Sequence, residues 1–216
     1  MASLETFHAL TLPRLPACPI PLLNQHLVLA ARDFCARTHA VIAVTDPVVL
    51  TAGRGVYDVD LPAETEVAFL SRVWVNTRQL MTPPAGQIDT PLAYGPVGSE
   101  AQALGEPASA YLVSPTEIAL YPVPDDVVPR ALAIRMAVQP MIGATTLPDV
   151  LAYRWMEAIC AKAASSLALI PQQPFTNPEL AMERSGAYEV IVNRAKLEHF
   201  RGAAMHNQSV RMRPFA

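Results

Sequence analysis

Between Pro21 and Thr38 the apolar positions recur with a helical period. Leu23, Leu27, Ala30, Ala31, Phe34, Cys35 and Thr38 stand at offsets 0, 4, 7, 8, 11, 12 and 15, while Asn24, Gln25, Arg32 and Asp33 fall off that stripe. Such spacing lines one face of a 3.6-residue helix, and Pro21 sits where a first turn tolerates proline, so a helix is predicted over about 20–38. A second stripe, Ala152, Met156, Ile159, Cys160, Ala163, Leu167 and Ile170, follows Leu147-Pro148-Asp149 and meets Pro171 and Pro174, which stop a helix. Asn177-Pro178-Glu179 then reads as an N-cap, a proline at the first helical position and an acid in the first turn. The helix it opens is predicted to run to Gly202 as the C′ residue, with Lys196 and Arg201 near its negative end.

From His39 to Gln139 the texture changes to short β-rich runs: 40–45, 48–51, 56–60, 67–75, 110–113, 117–121 and 131–138. Ala52-Gly53-Arg54-Gly55 separates two of them as a hairpin loop would. Residues 81–107, with five prolines and four glycines, are predicted to be a long loop. Pro13, Pro16 and Pro19 suit an extended arm over 1–19, and 203–216, with Arg211 and Arg213 and no acid, a polar basic tail. The pattern predicts an α+β fold: a three-helix bundle base (20–38 and 147–202) with a large all-β insertion (39–139) between helix 1 and helix 2, projecting from the bundle. Leu27, Phe34, Ile159 and Leu167 are expected to meet in the bundle core.

Composition sharpens this picture by exclusion. The chain has 216 residues, 51% hydrophobic and 16% charged, with a formal net charge of -3. At that size a chain buries roughly 70% of its unfolded surface, so neither metal nor disulfide is needed to staple it. Cys18, Cys35 and Cys160 make an odd, widely spaced set without C-x-x-C, which reads as free buried thiols in a reducing cytosol. No window reaches the roughly 18 apolar residues of a membrane span, and the N-terminus has no signal-peptide pattern. Twenty-one prolines against nine glycines, with neither G-x-G-x-x-G nor a P-loop, disfavour nucleotide chemistry. Charge divides with the architecture. Residues 40–137 hold 11 acids and 5 Lys or Arg, net -6, and the remainder holds 8 and 11, net +3, which together give -3.

Chemistry is sparse. There is no G-x-S-x-G elbow, and His8, His26, His39, His199 and His206 lie in arm, helix ends and tail, away from any nucleophile pattern. Cys35 and His39 stand at i and i+4, but two ligands do not make a metal site and Cys35 lies on the apolar stripe. Asp58, Asp60, Glu64 and Glu66 alternate along strand-like sequence and read as a solvated strand face rather than a cation site. No cofactor and no catalytic residue is expected. An acidic pI near 5.9 without a basic stripe excludes a duplex-reading protein, although an acidic wall lets DNA slide through a ring or channel without adhering.

Taken together, Pro16-x-Cys18-Pro19-x-Pro21 before a helix ending Ala30-Ala31-Arg32-Asp33-Phe34-Cys35-Ala36-Arg37-Thr38, then Val49-Leu50-Thr51-Ala52-Gly53-x-x-x-Tyr57-Asp58-Val59-Asp60-Leu61-Pro62, and Leu147-Pro148-Asp149 to Ala158 with Tyr153 and Trp155, resemble the head-to-tail adaptor proteins of tailed bacteriophages. The resemblance spans about residues 15–203, and its motifs are structural rather than chemical. It implies a virion protein of the head-tail neck, assembled in the host cytoplasm as a homo-oligomeric ring, typically a dodecamer, beneath the portal. Duplex DNA passes through that ring without sequence-specific binding. The same resemblance implies that the bundle forms the ring body, that the β insertion faces tail or nozzle proteins, and that the C-terminal tail reaches the portal protein.

On that reading Arg211, Arg213, Pro214 and Phe215 are the expected portal-binding residues. If the acidic insertion partly lines the channel, DNA is guided by repulsion; if it faces outward, Arg194, Lys196 and Arg201 become the lumen or DNA-facing candidates. Two rival readings belong to other classes: a soluble β-sandwich binding module with a helical dimerisation base, and a small hydrolase without a recognised motif.

Overall fold

A computed structural model describes residues 1–82 and 104–203, with side chains to position 199. The chain opens with β1 (Ala2–Ser3), α1 (Glu5–Thr11), a 3₁₀ turn (Leu12–Arg14) and α2 (Ile20–Thr38). Strands follow: β2 (Ile42–Val44), β3 (Val48–Leu50), β4 (Val56–Asp58), β5 (Thr65–Val75), β6 (Arg78–Gln79), β7 (Ser109–Ser114), β8 (Glu117–Tyr121), β9 (Val128–Pro140) and β10 (Thr146–Leu147). The chain returns to helix in α3 (Asp149–Arg154), α4 (Met156–Ala168) and α5 (Pro178–Ala203). The fold is mixed helix and sheet.

The 1–19 segment corrects the sequence reading, because it is not an extended arm. Leu4, Phe7, Thr11 and Leu15 are buried at spacings of 3, 4 and 4, a helical stripe that the three prolines obscure. Pro13 falls in the 3₁₀ turn, where its missing N–H leaves nothing unpaired. α1 packs on α4, and the Cys160 thiol donates to the Phe7 carbonyl at 3.6 Å, so a fourth helix joins the expected three.

The second predicted helix is two. Trp155 leaves helical geometry at φ -124°, ψ 14°, dividing α3 from α4, and its indole is buried 5.3 Å from the Phe34 ring. The break carries no proline or glycine, so nothing in the local sequence announced it. Helix α4 is buried almost all round by Ala158, Ala161, Ala163, Ala164 and Ala168, whose short side chains let α1, α2 and α5 approach from several sides. Asn177 caps α5, its Oδ1 accepting from the Leu180 N–H at 3.0 Å. Gly202, read as a C′ residue, lies inside α5 instead.

The long strand β9 organises the β region. It pairs antiparallel with β5 from Thr65↔Pro140 to Val75↔Leu132, and its other edge carries β2 and β3 one after the other. A second sheet has the order β4-β8-β7, and β1 pairs with β10, tying the N-terminus to the return into the helices. The Ala52–Gly55 segment is therefore not a hairpin loop. It hands the chain from β3 in one sheet to β4 in the other, and the Thr51 backbone N–H donates to Tyr57 Oη at 3.1 Å across the crossing. Nor does the insertion simply project: α2 packs on β9, and one hydrophobic cluster runs from Leu27, Phe34, Ile159 and Leu167 into Leu50, Leu132 and Ile134. Of the predicted 81–107 loop, residues 83–103 lie outside the described residues; its ends bridge Met81 to Ser109 and Leu104 to Val123.

Candidate interaction surfaces

Polar side chains in this chain serve first to fix the sheet on the bundle. Arg32, projecting from α2, donates to the Pro140 carbonyl at 2.6 Å and pairs with Glu66 of β5 at 2.7 Å, and Glu66 also accepts from Gln139 Nε2 at 2.8 Å. One guanidinium thus holds both central strands against the helix. Glu64 accepts from the N–H and hydroxyl groups of Thr145 and Thr146, and these donors lower its carboxyl to about 2. Asp58 pairs with Arg54 at 3.1 Å. Three of the four acids read as a solvated face therefore have structural partners.

A second cluster joins α2 to α5. The Tyr188 hydroxyl donates to Asp33 at 2.6 Å, and Arg37 forks onto Glu189 at 2.7 and 2.6 Å. The Arg37 and Lys162 cations lie 5.5 and 5.2 Å from the Tyr188 ring centroid. Burial, with the adjacent Asp33, pushes the Tyr188 phenol up, and the Arg37 hydrogen bond pulls Glu189 below the usual carboxylate range. Such a bidentate pair fixes orientation more than it adds stability, since both partners remain partly solvated.

Cys35 and His39 do not form a reactive pair. The thiol is wholly enclosed and burial pushes it up to about 12, away from the thiolate that a nucleophile needs. His39 ends α2 in the left-handed region at φ 51°, stacks on Phe69 at 4.6 Å and meets His199 edge-on at 6.0 Å. Among the described residues no three or more His, Cys, Asp or Glu converge as metal ligands, and no helix is long and apolar enough to cross a membrane.

The candidate lumen residues do not form one cluster. Arg194 is exposed and pairs with Glu198 at 3.1 Å, where Arg154 also arrives at 2.6 Å. Lys196 is exposed two positions further on, which is over half a turn around the helix, so the two cations point to different sides. Arg201 lies on α5 beyond the described side chains, and Arg211, Arg213, Pro214 and Phe215 lie outside the described residues. Leu27, Phe34, Ile159 and Leu167 are all fully buried.

Sequence reasoning missed a basic feature of the acidic insertion. Arg72 on β5 stands directly opposite Arg135 on β9, both exposed and without an ion pair among the described residues. Like charges placed so are unfavourable. Only strand register brings them together, and two bulges in β5 put that register beyond a simple alternation count.

The bundle and the sheet are joined by buried apolar contacts and by the Arg32–Glu66 pair, and the polar groups found here serve that joint. Compared with models of protein families, residues 6–211 match the SU10 adaptor protein model, and the chain belongs to that family of phage head-to-tail adaptors. It is thus a structural phage adaptor. No curated protein matches it.

Proposed function

We propose that the protein forms a homo-oligomeric ring, with twelve copies as the expected number, beneath the portal in the neck of the virion. There it extends the DNA channel and offers its β region to tail or nozzle proteins. Membership of the adaptor family over residues 6–211 carries this reading. The rigid joint of bundle and sheet at Arg32, Pro140 and Glu66 supports it, because a connector must transmit contact at one end to the other without yielding.

The C-terminal tail is the proposed portal contact. Its sequence supplies two cations, Arg211 and Arg213, and an aromatic anchor, Phe215, which a groove on the portal would pair and bury. The test mixes purified portal protein with the full chain and with a chain lacking residues 204–216, reading complexes by negative-stain microscopy. Ring-shaped density under the portal with the full chain, and its loss on truncation with an unchanged melt, is expected. Unchanged joining would exclude the tail, and a dimer indifferent to portal would favour a binding module instead.

A further inference from the structure

Helix α5 carries an apolar stripe on the side that faces away from its own bundle. Met182, Val190 and Leu197 are 77%, 70% and 59% exposed, and with Gly186 and Asn193 they follow spacings of 4, 4, 3 and 4. At 100° per residue these five positions share an arc of about 80° and extend over about 22 Å of helix. The buried side, Tyr188, Val192 and Ala195, lies across the helix from them. Such a helix is apolar on two faces, and its own chain, among the described residues, covers one.

Gly186 supplies an independent sign. A glycine within a helix costs about 1 kcal/mol relative to alanine, and here a Cβ built on it meets nothing within 4 Å. No intramolecular contact among the described residues therefore requires it. A notch between Met182 and Val190, one turn to either side, is what close approach of another backbone requires.

The occupant follows from where the complementary surface lies. A groove of about 350 Å³ has the buried Leu4 and Val28 at its floor, the exposed Ile142 on its rim, and Ser3, Glu5, Asn24, Gln25 and Thr145 as its polar lining. On α2, Asn24 and Val28 each precede by nine residues the Asp33 and Arg37 that face α5. Nine residues is two and a half turns, so the groove and α5 occupy opposite flanks of α2. Glu5 in the groove and Lys196 beside the stripe have no ion pair among the described residues, and the exposed Glu179 stands in the arc of the stripe itself. Two complementary patches on opposite flanks cannot meet within one chain, but they repeat head to tail between copies, the arrangement that closes rings.

We propose that the Met182-Gly186-Val190-Leu197 face of α5 seats in the Val28-Ile142 groove of a second copy of this chain. This rests on the ring reading and assigns its subunit contact. The test uses the full chain with Val190→Cys, Ile142→Cys or both, treated with a short bismaleimide; the native Cys18, Cys35 and Cys160 are buried. A ladder of covalent multimers from the double variant, with neither single variant cross-linking, is expected. Gly186→Gln should raise the melting temperature of the separated subunit, since the helix gains propensity into open space, yet reduce assembly at least tenfold in native mass spectrometry. Dimers from Val190→Cys alone would mean that α5 pairs with itself and overturn the seating. Rings that form undiminished in Gly186→Gln without the ladder would overturn this contact and leave the ring reading standing. Wild-type chains that stay monomeric with and without portal would remove both.

Discussion

Phe34 stands where three helices meet, and its truncation tests the packing most directly. It is fully buried on α2, its ring 5.3 Å from Trp155 at the α3–α4 break and 6.4 Å from Tyr188 on α5. Phe34→Ala removes the transfer free energy of the ring and leaves a cavity, about 3–5 kcal/mol together. The two tilted aromatic contacts place the loss toward the upper end, since each such pair is worth about 0.5–1.5 kcal/mol beyond area. For a chain of this length 1 kcal/mol moves the melting temperature by about 2–4 °C, so a fall of roughly 6–20 °C is expected. Thermal melts by circular dichroism give the shift, and Trp155 emission, with Trp74 replaced by Phe in both backgrounds, reports the junction itself. Phe34→Leu, which keeps most of the volume, should cost under about 1.5 kcal/mol. A melt for Phe34→Ala within a degree of wild type, with Trp155 emission unmoved, would refute the three-helix junction.

Other outcomes follow from the polar clamps and the field. Arg32→Met leaves Glu66 without its cation and the Pro140 carbonyl without a donor, and urea unfolding should show a loss of about 1.5–3 kcal/mol, against almost none for the exposed Arg54→Met. Burial first, and His199 second, lower the His39 pKa below 6.5, so the unfolded chain binds the proton better and stability falls as pH drops through about 6.5; His39→Asn, which tolerates the left-handed backbone, should flatten the melting-temperature slope between pH 7 and 5. Glu64, held at about 2 against an ordinary 4.5, contributes stability above pH 4.5 that is lost as pH falls toward 2, and Glu64→Gln should remove that acid dependence in pH-scanned melts. Assembled rings should bind duplex DNA weakly in a low-salt filter assay; submicromolar, salt-sensitive affinity would contradict a repulsive channel and move the functional cations to α5.

The legible parts of this fold are those in which one local period governs. The α2 stripe marked both ends, because Pro21 opens it and its last apolar-face position is Thr38; in the structure His39 turns left-handed directly after it. Strands β5, β8 and β9 were visible as apolar runs, since alternation or burial on both faces leaves a short-range trace. What stayed hidden depended on contacts far apart in sequence. The assignment of β3 to β9 and of β4 to β8, the burial of α1 on α4 and the break at Trp155 beside Phe34 are each decided by a partner far away in sequence.

Surfaces were less legible than core for a physical reason. A core position is marked by its own helix or strand period, whereas a docking surface is marked by residues that violate the period of the element carrying them. Val190 and Leu197 break the amphipathic pattern of α5, and a pattern search discounts them as noise. Gly186 reads as a tolerated weak point until the space around it is known to be open. The same holds for Arg72 and Arg135, ordinary solvated charges in sequence and an unfavourable pair once register opposes them. A structural adaptor is best read at such departures from local consistency, because there the isolated chain gives up stability.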